Sequence, residues 1–536
     1  MTTLDTCRAW FGRARSYASF ARGMRAYLAQ PMTAPAARAL IQRRLAEREH
    51  NFLALARSAI YPHPRSPYCK LLALAGCQYG DLERLVRADG LDTTLRHLYR
   101  EGVYVSLDEF KGRRPAVRGS QTVTFDVCDF DNPTRAGDIT LMSGGSRSVG
   151  TRTIYDFDFM AAALVPSVLS RCDAWDLLRF PVGLWFPIMP GCGPIYLLLF
   201  AKMGKPPLRW FSQTDNRQVK PSLKSRVGTA AIVRMGRLLG QSWPAPEHTP
   251  IGEAGRVVDW MASIIREHGG CVLETYVSTA ARVCQAARER GVDLRGAAFA
   301  VTGEPLSRAK RAEMEAAGAR VFPNYAFSEG GAAGAGCPRF VEPDEVHLRS
   351  DMFALIQQPR EVPHAQVSVD AFYFTALLPQ APKILLNFES GDYGVINRRN
   401  CGCQFQAMGF HDHIHTIRAF DKLTSEGMTF VGTDMLRLIE EVLPREFGGI
   451  STDYQMVEEE DDRGRTIVSI VVNPALGSVD EARLIQVVMA QIGREKDYHR
   501  MMAEVWGQAG TLRVRRAAPY TTARGKLLPL HIQEPR

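Results

Sequence analysis

The first hundred residues follow a helical pattern. Apolar side chains recur every three or four positions between arginines, beginning with Trp10, Phe11, Tyr17, Phe20, Met24 and Leu28. This spacing places them on one face of a helix. Further helices are predicted at 82–88 and 91–99. The arginines between the apolar positions are typical of a solvated face above a core rather than of a nucleic-acid site.

Beyond residue 100, short β-rich runs alternate with helical segments. Strands are predicted at 103–105, 122–125, 137–142, 270–273, 297–302 and 320–323, and helices at 158–171, 255–268, 278–291 and 307–317. Ser278 is a candidate N-cap because its hydroxyl can accept a bond from a free helix amide. The alternation predicts an α/β domain of layered sheets and helices with a largely parallel sheet.

The pattern changes near residue 418. Strands are predicted at 466–472 and 511–515, with a helix at 479–493 between them. We therefore expect a helical N-terminal region of the large domain (1–100), the rest of a large α/β domain (101–417), and a small α+β C-terminal domain (418–536). The chain of 536 residues is long enough for such a division.

Composition narrows the class of protein. Hydrophobic residues make up 46% and charged residues 23%, which is ordinary for a globular chain. The net charge of +9 is modest, and no dense basic run with interleaved aromatics occurs, so nucleic acid is not an expected partner. Eleven scattered cysteines predict free thiols in a reducing compartment, hence a cytoplasmic protein. The first thirteen residues lack the apolar core of a secretory signal.

One uncharged stretch, 180–201, is long enough to cross a bilayer. It contains four prolines and three glycines, which disfavour a single helix. We interpret it as a buried strand, a loop and the start of a helix, and expect no stable membrane insertion.

A loop rich in serine and glycine follows the strand predicted at 137–142. It contains Ser143, Gly144, Gly145, Ser146, Arg147, Ser148, Gly150 and Thr151. Glycines let the backbone approach a ligand, and free amides, hydroxyls and a guanidinium can hold phosphate oxygens. The loop is not a Walker A motif, because no Gly-Lys-Ser/Thr follows at the required spacing. Taken alone, it is more typical of a surface loop.

Five further motifs follow in order. They are Gly303-Glu304-Pro305-Leu306-Ser307, Asn324-Tyr325-Ala326-Phe327-Ser328-Glu329-Gly330, Ser390-Gly391-Asp392 together with Arg418-Ala419-Phe420-Asp421, and the terminal Arg524-Gly525-Lys526. With the serine–glycine loop, this series resembles the acyl-adenylate-forming superfamily, specifically its phenylacetate–CoA ligase-like branch. The resemblance covers about residues 68–536.

The resemblance implies a nucleotide site. The loop 143–151 would hold the β- and γ-phosphates of ATP, and Gly303, Glu304 and Pro305 would line the adenine. Tyr325 would flank the adenine, Ser328 would touch the α-phosphate, and Asp392 would bind the ribose hydroxyls. The family's lysine at the end of the phosphate loop is absent, so Arg147 or Arg152 would supply the cation.

Three catalytic roles are also implied. Glu329 would ligate Mg²⁺, a hard cation that prefers oxygen ligands. Arg418 would contact the ribose, and Lys526 would bridge the acyl carboxylate and the α-phosphate. Asp421 would form the hinge between the two domains. The sequence departs from the family at Leu386-Asn387-Phe388, where an Arg-Tyr-Arg is usual, and lacks the glycine before Arg418.

A separate set of residues suits a metal. Cys337, His347, Cys401 and Cys403 form a Cys₃His set of the type that binds structural Zn²⁺. Some proteins of the resembled branch hold such a zinc; buried free thiols are the alternative. Three histidines would share one face of a strand: His411, His413 and His415. We interpret this face as polar or pocket-lining in preference to a second source of metal ligands.

Together these features predict a two-domain ligase. It would activate a small carboxylic acid with ATP and Mg²⁺ as acyl-AMP, release pyrophosphate, and transfer the acyl group to the thiol of coenzyme A or of a carrier. By the resemblance, 184–187 and 272–279 would line the acyl pocket; aromatics there are more often part of a core, and they could serve as both. Transfer to an amine or hydroxyl, and a non-catalytic nucleotide-binding protein, are the alternatives. The oligomeric state stays open, a homodimer among the options.

Overall fold

A computed structural model describes most of the chain. The described residues are 18–137, 139–142, 151–213, 223–304, 306, 308–361, 368–419, 423–425, 428–430, 438–449, 453–460, 466–492, 506–508, 510–520 and 530–532. Most of the predicted phosphate loop, Pro305, Asp421 and Lys526 therefore lie outside the described residues.

The described part of the N-terminal region, 18–100, is mainly helical, as the apolar pattern predicts; Trp10, Phe11 and Tyr17 lie outside the described residues. After a helix at 18–28, the described α-helices are Ala34–Ala46, Arg48–Leu55, Pro67–Leu74, Tyr79–Asp89, Leu91–Arg100, Leu107–Phe110, Phe157–Phe159, Val165–Ala174, Gly193–Lys202, Leu223–Leu238, Ala254–His268, Val277–Glu289, Arg308–Ala316, Gln404–Met408, Leu443–Phe447 and Glu481–Ile492. Single π-helical turns extend three of them, at Ala56–Ile60, Met160–Leu164 and Leu438–Val442.

The described strands are numbered in chain order. They are β1 (Ala116–Arg118), β2 (Gln121–Val123), β3 (Ile139–Met142), β4 (Arg152–Tyr155), β5 (Val182–Trp185), β6 (Arg209–Ser212), β7 (Pro246–His248), β8 (Cys271–Tyr276), β9 (Ala297–Thr302), β10 (Arg320–Phe327), β11 (Gly331–Gly336), β12 (Val346–Leu348), β13 (Phe353–Glu361), β14 (Ser368–Ala376), β15 (Phe388–Arg398), β16 (Asp412–Ala419), β17 (Leu423–Ser425), β18 (Met428–Phe430), β19 (Tyr454–Glu460), β20 (Thr466–Val472), β21 (Leu512–Arg516) and β22 (Leu530–Ile532).

Among these strands, one mixed sheet of twelve dominates, in the order β13-β14-β15-β16-β12-β11-β10-β9-β8-β5-β6-β7. The half from β10 to β7 is parallel throughout. The half from β10 to β13 is antiparallel. The α/β class is confirmed, but the expectation of a largely parallel sheet holds only for the half that contains the crossover helices, since parallel strands need such connections.

Sequence boundaries shift in several places. The strand predicted at 103–105 is only an isolated bridge from Val105 to Phe388. The predicted strand at 320–323 continues to Phe327. The helix predicted from Ser278 begins at Val277, with Tyr276 at the N-cap. The N-cap prediction for Ser278 was therefore wrong, because the residue lies inside the first turn.

The antiparallel half of the sheet curls strongly. The ring of Phe327 on β10 lies 5.0 Å from that of Phe374 on β14 and 5.5 Å from that of Phe353 on β13. β10 and β14 are five places apart in the strand order, which corresponds to about 24 Å in a flat sheet. The sheet must therefore bend back on itself, so that side chains from the end of β10 meet those of β13 to β15.

The parallel half is covered on both faces. Val272 packs into the larger core, with the helices Val165–Ala174 and Gly193–Lys202. Its neighbours Cys271 and Leu273 pack into a second core, with Ala254–His268 and Val277–Glu289. The uncharged stretch becomes β5 and the helix Gly193–Lys202, as predicted. No helix of the described residues is long and apolar enough to cross a membrane.

The C-terminal residues form a separate sheet in the order β21-β20-β19-β22. Its core, which includes Tyr454, Ile470 and Trp506, packs against Glu481–Ile492. The proposed domain division at 417/418 stays a prediction.

Candidate functional site

The predicted phosphate loop joins two paired strands. β3 and β4 are antiparallel, with Met142 opposite Arg152, so the segment 143–151 is the connection of a hairpin. Of its residues only Thr151 is described, and it is buried. Arg152, a candidate cation for the phosphates, has its Nη2 3.0 Å from Asp131 Oδ2. Lys383 Nζ lies 2.6 Å from the other oxygen of the same carboxylate.

The Tyr-Ala-Phe-Ser-Glu motif forms the end of β10 and the turn into β11. The Tyr155 hydroxyl donates to the backbone carbonyl of Ser328 over 3.0 Å. Glu329, next in the turn, is 8% exposed. Gly331 then takes φ = +88°, and a Cβ there would lie 2.8 Å from Leu164 Cδ2. Tyr155 therefore holds the turn through Ser328, and a side chain at Gly331 would require both a left-handed backbone and a shift of Leu164.

Tyr155 itself was not singled out from the sequence. It is fully buried, and burial, followed by the charges of Glu329 and Cys192, raises the pKa of its phenol. The ring therefore stays neutral next to Glu329. Its only sequence signal is its place at the end of the strand that follows the phosphate loop.

The predicted adenine residue Tyr325 and the predicted ribose residue Asp392 contact each other at the end of β10. The Tyr325 hydroxyl donates to Asp392 Oδ2 over 2.7 Å. Asp392 follows Gly391, whose φ of +84° is readily available only to glycine. Because β15 is four places from β10 in the strand order, this contact depends on the curl of the sheet.

Gly303 and Glu304 lie at the same edge of the sheet. They follow β9, where Pro323 is paired with Val301, and the Asn324 side chain donates to the Val301 carbonyl over 3.3 Å. The segment predicted to line the adenine therefore neighbours the segment that carries Tyr325.

Arg418 occupies the end of β16, opposite Tyr393 on β15. Its Nη1 donates to Asp344 Oδ2 over 2.9 Å. The two oxygens of Asp344 also accept the backbone amides of Thr416 (2.9 Å) and Ile417 (3.1 Å). Asp344 is 7% exposed in its side chain. It was not recognised in the sequence, yet it fixes the residue that leads into the predicted hinge.

The predicted metal ligands also come together, with one addition. Ligand atoms of Cys337, His347, Cys401 and His413 all lie within 4.8 Å of one another, and all four residues are buried. Cys403 belongs to the same cluster, since its Sγ lies 3.1 Å from His347 Nε2. Cys401 Sγ lies 3.6 Å from that same nitrogen.

His413 joins the cluster because β12 and β16 pair with His347 directly opposite His413. The interpretation of the three histidines as one polar face does not fit the structure, which buries His413 and leaves His415 partly exposed. Burial lowers the pKa of His413 and keeps its ring neutral.

The donor set fits a zinc ion. In tetrahedral Zn²⁺ sites with Zn–S of about 2.3 Å and Zn–N of about 2.0 Å, neighbouring ligand atoms lie about 3.5 Å apart, close to the distances from His347 Nε2. The His413 Nδ1 lies 3.1 Å from the His411 carbonyl, which orients the ring and leaves Nε2 for a metal. Neither His413 Nε2 nor His347 Nδ1 has a hydrogen-bond partner among the described residues.

Comparison with known proteins bears on the fold. No family model and no curated protein matches the sequence. The chain is similar to a solved 2-hydroxyisobutyryl-CoA ligase, in complex with 2-HIB-AMP and CoA, with a TM-score of 0.51 and 14% identity over 94% of this chain and 91% of that one.

Two looser similarities have TM-scores too low to support an inference. One is to an open conformation of the same ligase, with a TM-score of 0.41 and 14% identity over 91% of this chain and 93% of that chain. The other is to a mutant of the amide bond synthetase Mcba from Marinactinospora thermotolerans, with a TM-score of 0.38 and 12% identity over 91% and 97%.

Proposed function

We propose that this chain, whose fold is that of the acyl-adenylate-forming enzymes, activates a carboxylic acid with ATP as an acyl-AMP and then transfers the acyl group to a thiol. The observation that carries the proposal is the hydrogen bond between Tyr325 and Asp392. Tyr325 and Glu329 belong to one motif and Asp392 to another, so this bond links the two motifs across the curl of the sheet. The phenylacetate–CoA ligase-like branch stays a prediction.

In the proposed nucleotide site, Asp392 accepts hydrogen bonds from the ribose hydroxyls while Tyr325 holds one of its oxygens and lies against the adenine. Glu329 presents the oxygen ligand that Mg²⁺ prefers, and the ion would supply charge neutralisation on the phosphates. The hairpin loop 143–151 would hold the β- and γ-phosphates.

The reaction is a displacement at the α-phosphate by the substrate carboxylate, with pyrophosphate as the leaving group. The chain contributes positioning and charge rather than a nucleophile of its own. Lys526 would bring a cation to the carboxylate and the α-phosphate, and Arg418, positioned by Asp344, would contact the ribose. Coenzyme A or a carrier thiol is the proposed acceptor. We further propose that the cysteine–histidine cluster binds one structural Zn²⁺.

Acid-dependent exchange of labelled pyrophosphate into ATP tests the first half-reaction without any acceptor. We expect exchange with one class of acid, and its loss in Glu329→Gln and Lys526→Ala. Glu267→Gln, an exposed carboxylate on the helix Ala254–His268, is the matched control and should exchange normally. Absence of exchange with every acid of a broad panel would refute adenylation.

The acceptor is tested afterwards with the acid that supports exchange. Coenzyme A, pantetheine-loaded carrier and simple amines are supplied in turn, and the acylated product is measured. Turnover with the thiols is expected. Turnover with amines alone would assign the enzyme to the amide-forming alternative.

A further inference from the structure

A buried ion pair lies next to the predicted acyl pocket. Arg171, on the helix Val165–Ala174, contacts Glu274 Oε1 through its Nη2. The two residues are 2% and 0% exposed. Glu274 Oε2 and Arg171 Nε are also buried, and neither atom has a hydrogen-bond partner among the residues that the structure describes.

Glu274 lies on the face of β8 that carries a cluster of aromatic side chains near the predicted acyl pocket. Along β8, alternate residues share a face, so Glu274 and Tyr276 lie on the same face of the strand. Glu274 comes about 6.6 Å before Tyr276 along the strand. The Tyr276 ring lies 5.0 Å from Phe186, and the Phe186 ring stacks at 4.8 Å on Tyr196. Cys192 Sγ lies 3.7 Å from the Tyr276 hydroxyl.

The charge of Glu274 acts on this aromatic cluster. Burial, and after it the Glu274 carboxylate, raises the pKa of Tyr196. Burial also raises the pKa of Cys192 to about 12, with Glu274 contributing in the same direction. Cys192 and Tyr196 are themselves partly exposed. The aromatic cluster therefore extends from the buried Glu274 carboxylate to side chains that solvent reaches.

The same cluster reaches the nucleotide residues. Tyr155, which holds the Ser328 carbonyl, is influenced both by Glu329 and by Cys192. Tyr155 is therefore near both Glu329, in the turn after β10, and Cys192, in the aromatic cluster.

A buried ion pair gives weak net stability, because removing both charges from water costs about as much as their attraction returns. Leaving one carboxylate oxygen without a donor adds a further cost. Apolar residues of similar volume would fill the same space without either cost. A donor supplied by a ligand explains why an ionisable residue occupies this position.

We propose that Glu274 recognises a hydrogen-bond donor at the far end of the substrate acid, so that the substrate class is an apolar carboxylic acid carrying a distal hydroxyl or amine. Arg171 holds the carboxylate so that Oε2 is left for this donor. The proposal rests on the adenylation function proposed above, and assigns it a substrate class.

Matched acids test this in the exchange assay. One set is 3-phenylpropanoate with its 4-hydroxy and 4-amino derivatives, and another is hexanoate with its 6-hydroxy and 6-amino derivatives. We expect at least about a tenfold preference in kcat/KM for a donor-bearing acid within a set. The better of the two donors distinguishes a hydroxy acid from an amino acid.

The variant Arg171→Met/Glu274→Leu removes both charges and should abolish the preference while exchange continues. Glu274→Gln keeps the volume if the double variant fails to fold, and should reduce the preference. Asp351→Asn is the matched control: its carboxylate is also buried in an ion pair, with Arg44, but it does not face the aromatic cluster. Asp351→Asn should lower the free energy of unfolding and leave the preference for donor-bearing acids unchanged.

The outcomes separate the two proposals. Exchange without any preference for donor-bearing acids, or a preference that survives in the double variant, overturns the role of Glu274 and leaves adenylation standing. Failure of exchange with all acids refutes adenylation and the substrate class together.

Discussion

The hydrogen bond between Tyr325 and Asp392 offers a sharp test of the candidate nucleotide site. It is 2.7 Å long, has a carboxylate as its acceptor, and joins β10 to β15 across the curl of the sheet. Tyr325→Phe removes the hydroxyl and keeps the ring. The Asp392 carboxylate then loses the donor that fixes its orientation toward the ribose.

The size of the effect follows from the bond. A hydrogen bond to a charged group contributes about 1.5–3 kcal/mol. Tyr325 is only partly buried, so the lower end applies, and about 1.5 kcal/mol corresponds to about a tenfold change. We expect Tyr325→Phe to raise the KM for ATP by about tenfold and to leave the KM for the acid unchanged.

A double-mutant cycle with Asp392→Asn isolates this interaction. If Tyr325 acts by orienting Asp392, Tyr325→Phe should cost little in the Asp392→Asn background, which corresponds to a coupling of about 1.5 kcal/mol. Tyr61→Phe serves as control, because it removes a hydroxyl that donates to the Cys77 carbonyl over 3.1 Å in the N-terminal helices. An unchanged KM for ATP in Tyr325→Phe, or strictly additive effects, would refute the reasoning.

Three further predictions concern other parts of the chain. Asp344→Asn should raise the KM for ATP several-fold, because it weakens the ion pair that positions Arg418, and a variant with wild-type ATP kinetics would remove Asp344 from the site. Metal analysis should find one zinc per chain, lost in Cys337→Ser and Cys401→Ser but kept in Cys284→Ser, a buried thiol elsewhere; comparing Cys403→Ser with His413→Gln identifies the fourth ligand. Burial raises the pKa of Glu274 to about 7 despite Arg171, so the folded chain binds a proton more tightly than the unfolded chain, whose value is about 4.3. The free energy of unfolding should therefore fall as the pH rises from about 4.3 to about 7, by at most about 1.4 kcal/mol per pH unit. In Glu274→Gln, denaturant titrations at several pH values should show a smaller dependence of that free energy on pH.

The parallel half of the sheet could be predicted from sequence because its signals are local. Ala297–Thr302 is a continuous apolar run, and the helix Ala254–His268 has a regular apolar face, so both were found almost to the residue. The antiparallel half was not predicted. β11 is Gly-Ala-Ala-Gly-Ala-Gly, which has neither alternation nor strong strand propensity, and it forms only because its neighbours pair with it.

The candidate site, too, could be predicted only where its sequence signals are local. The motifs gave Tyr325, Glu329 and Asp392 by their order, but order alone does not show that a phenol and a carboxylate 67 residues apart share a hydrogen bond. That contact requires the sheet to curl. Tyr155, Glu274 and Asp344 were missed for the same reason: each acts through a residue distant in sequence, and none stands in a motif of its own.

Two consecutive carboxylates connect the cysteine–histidine cluster to the candidate nucleotide site. Glu345 faces the cluster, with its Oε1 3.5 Å from His413 Nε2 and 3.0 Å from Arg399 Nε. Asp344 instead holds Thr416, Ile417 and Arg418. His413 and Arg418 lie on the same strand, so one end of β16 is fixed by the cluster and the other by Asp344. A metal at the cluster would therefore stiffen the strand that carries Arg418, which gives a site remote from the nucleotide a physical reason to support its binding.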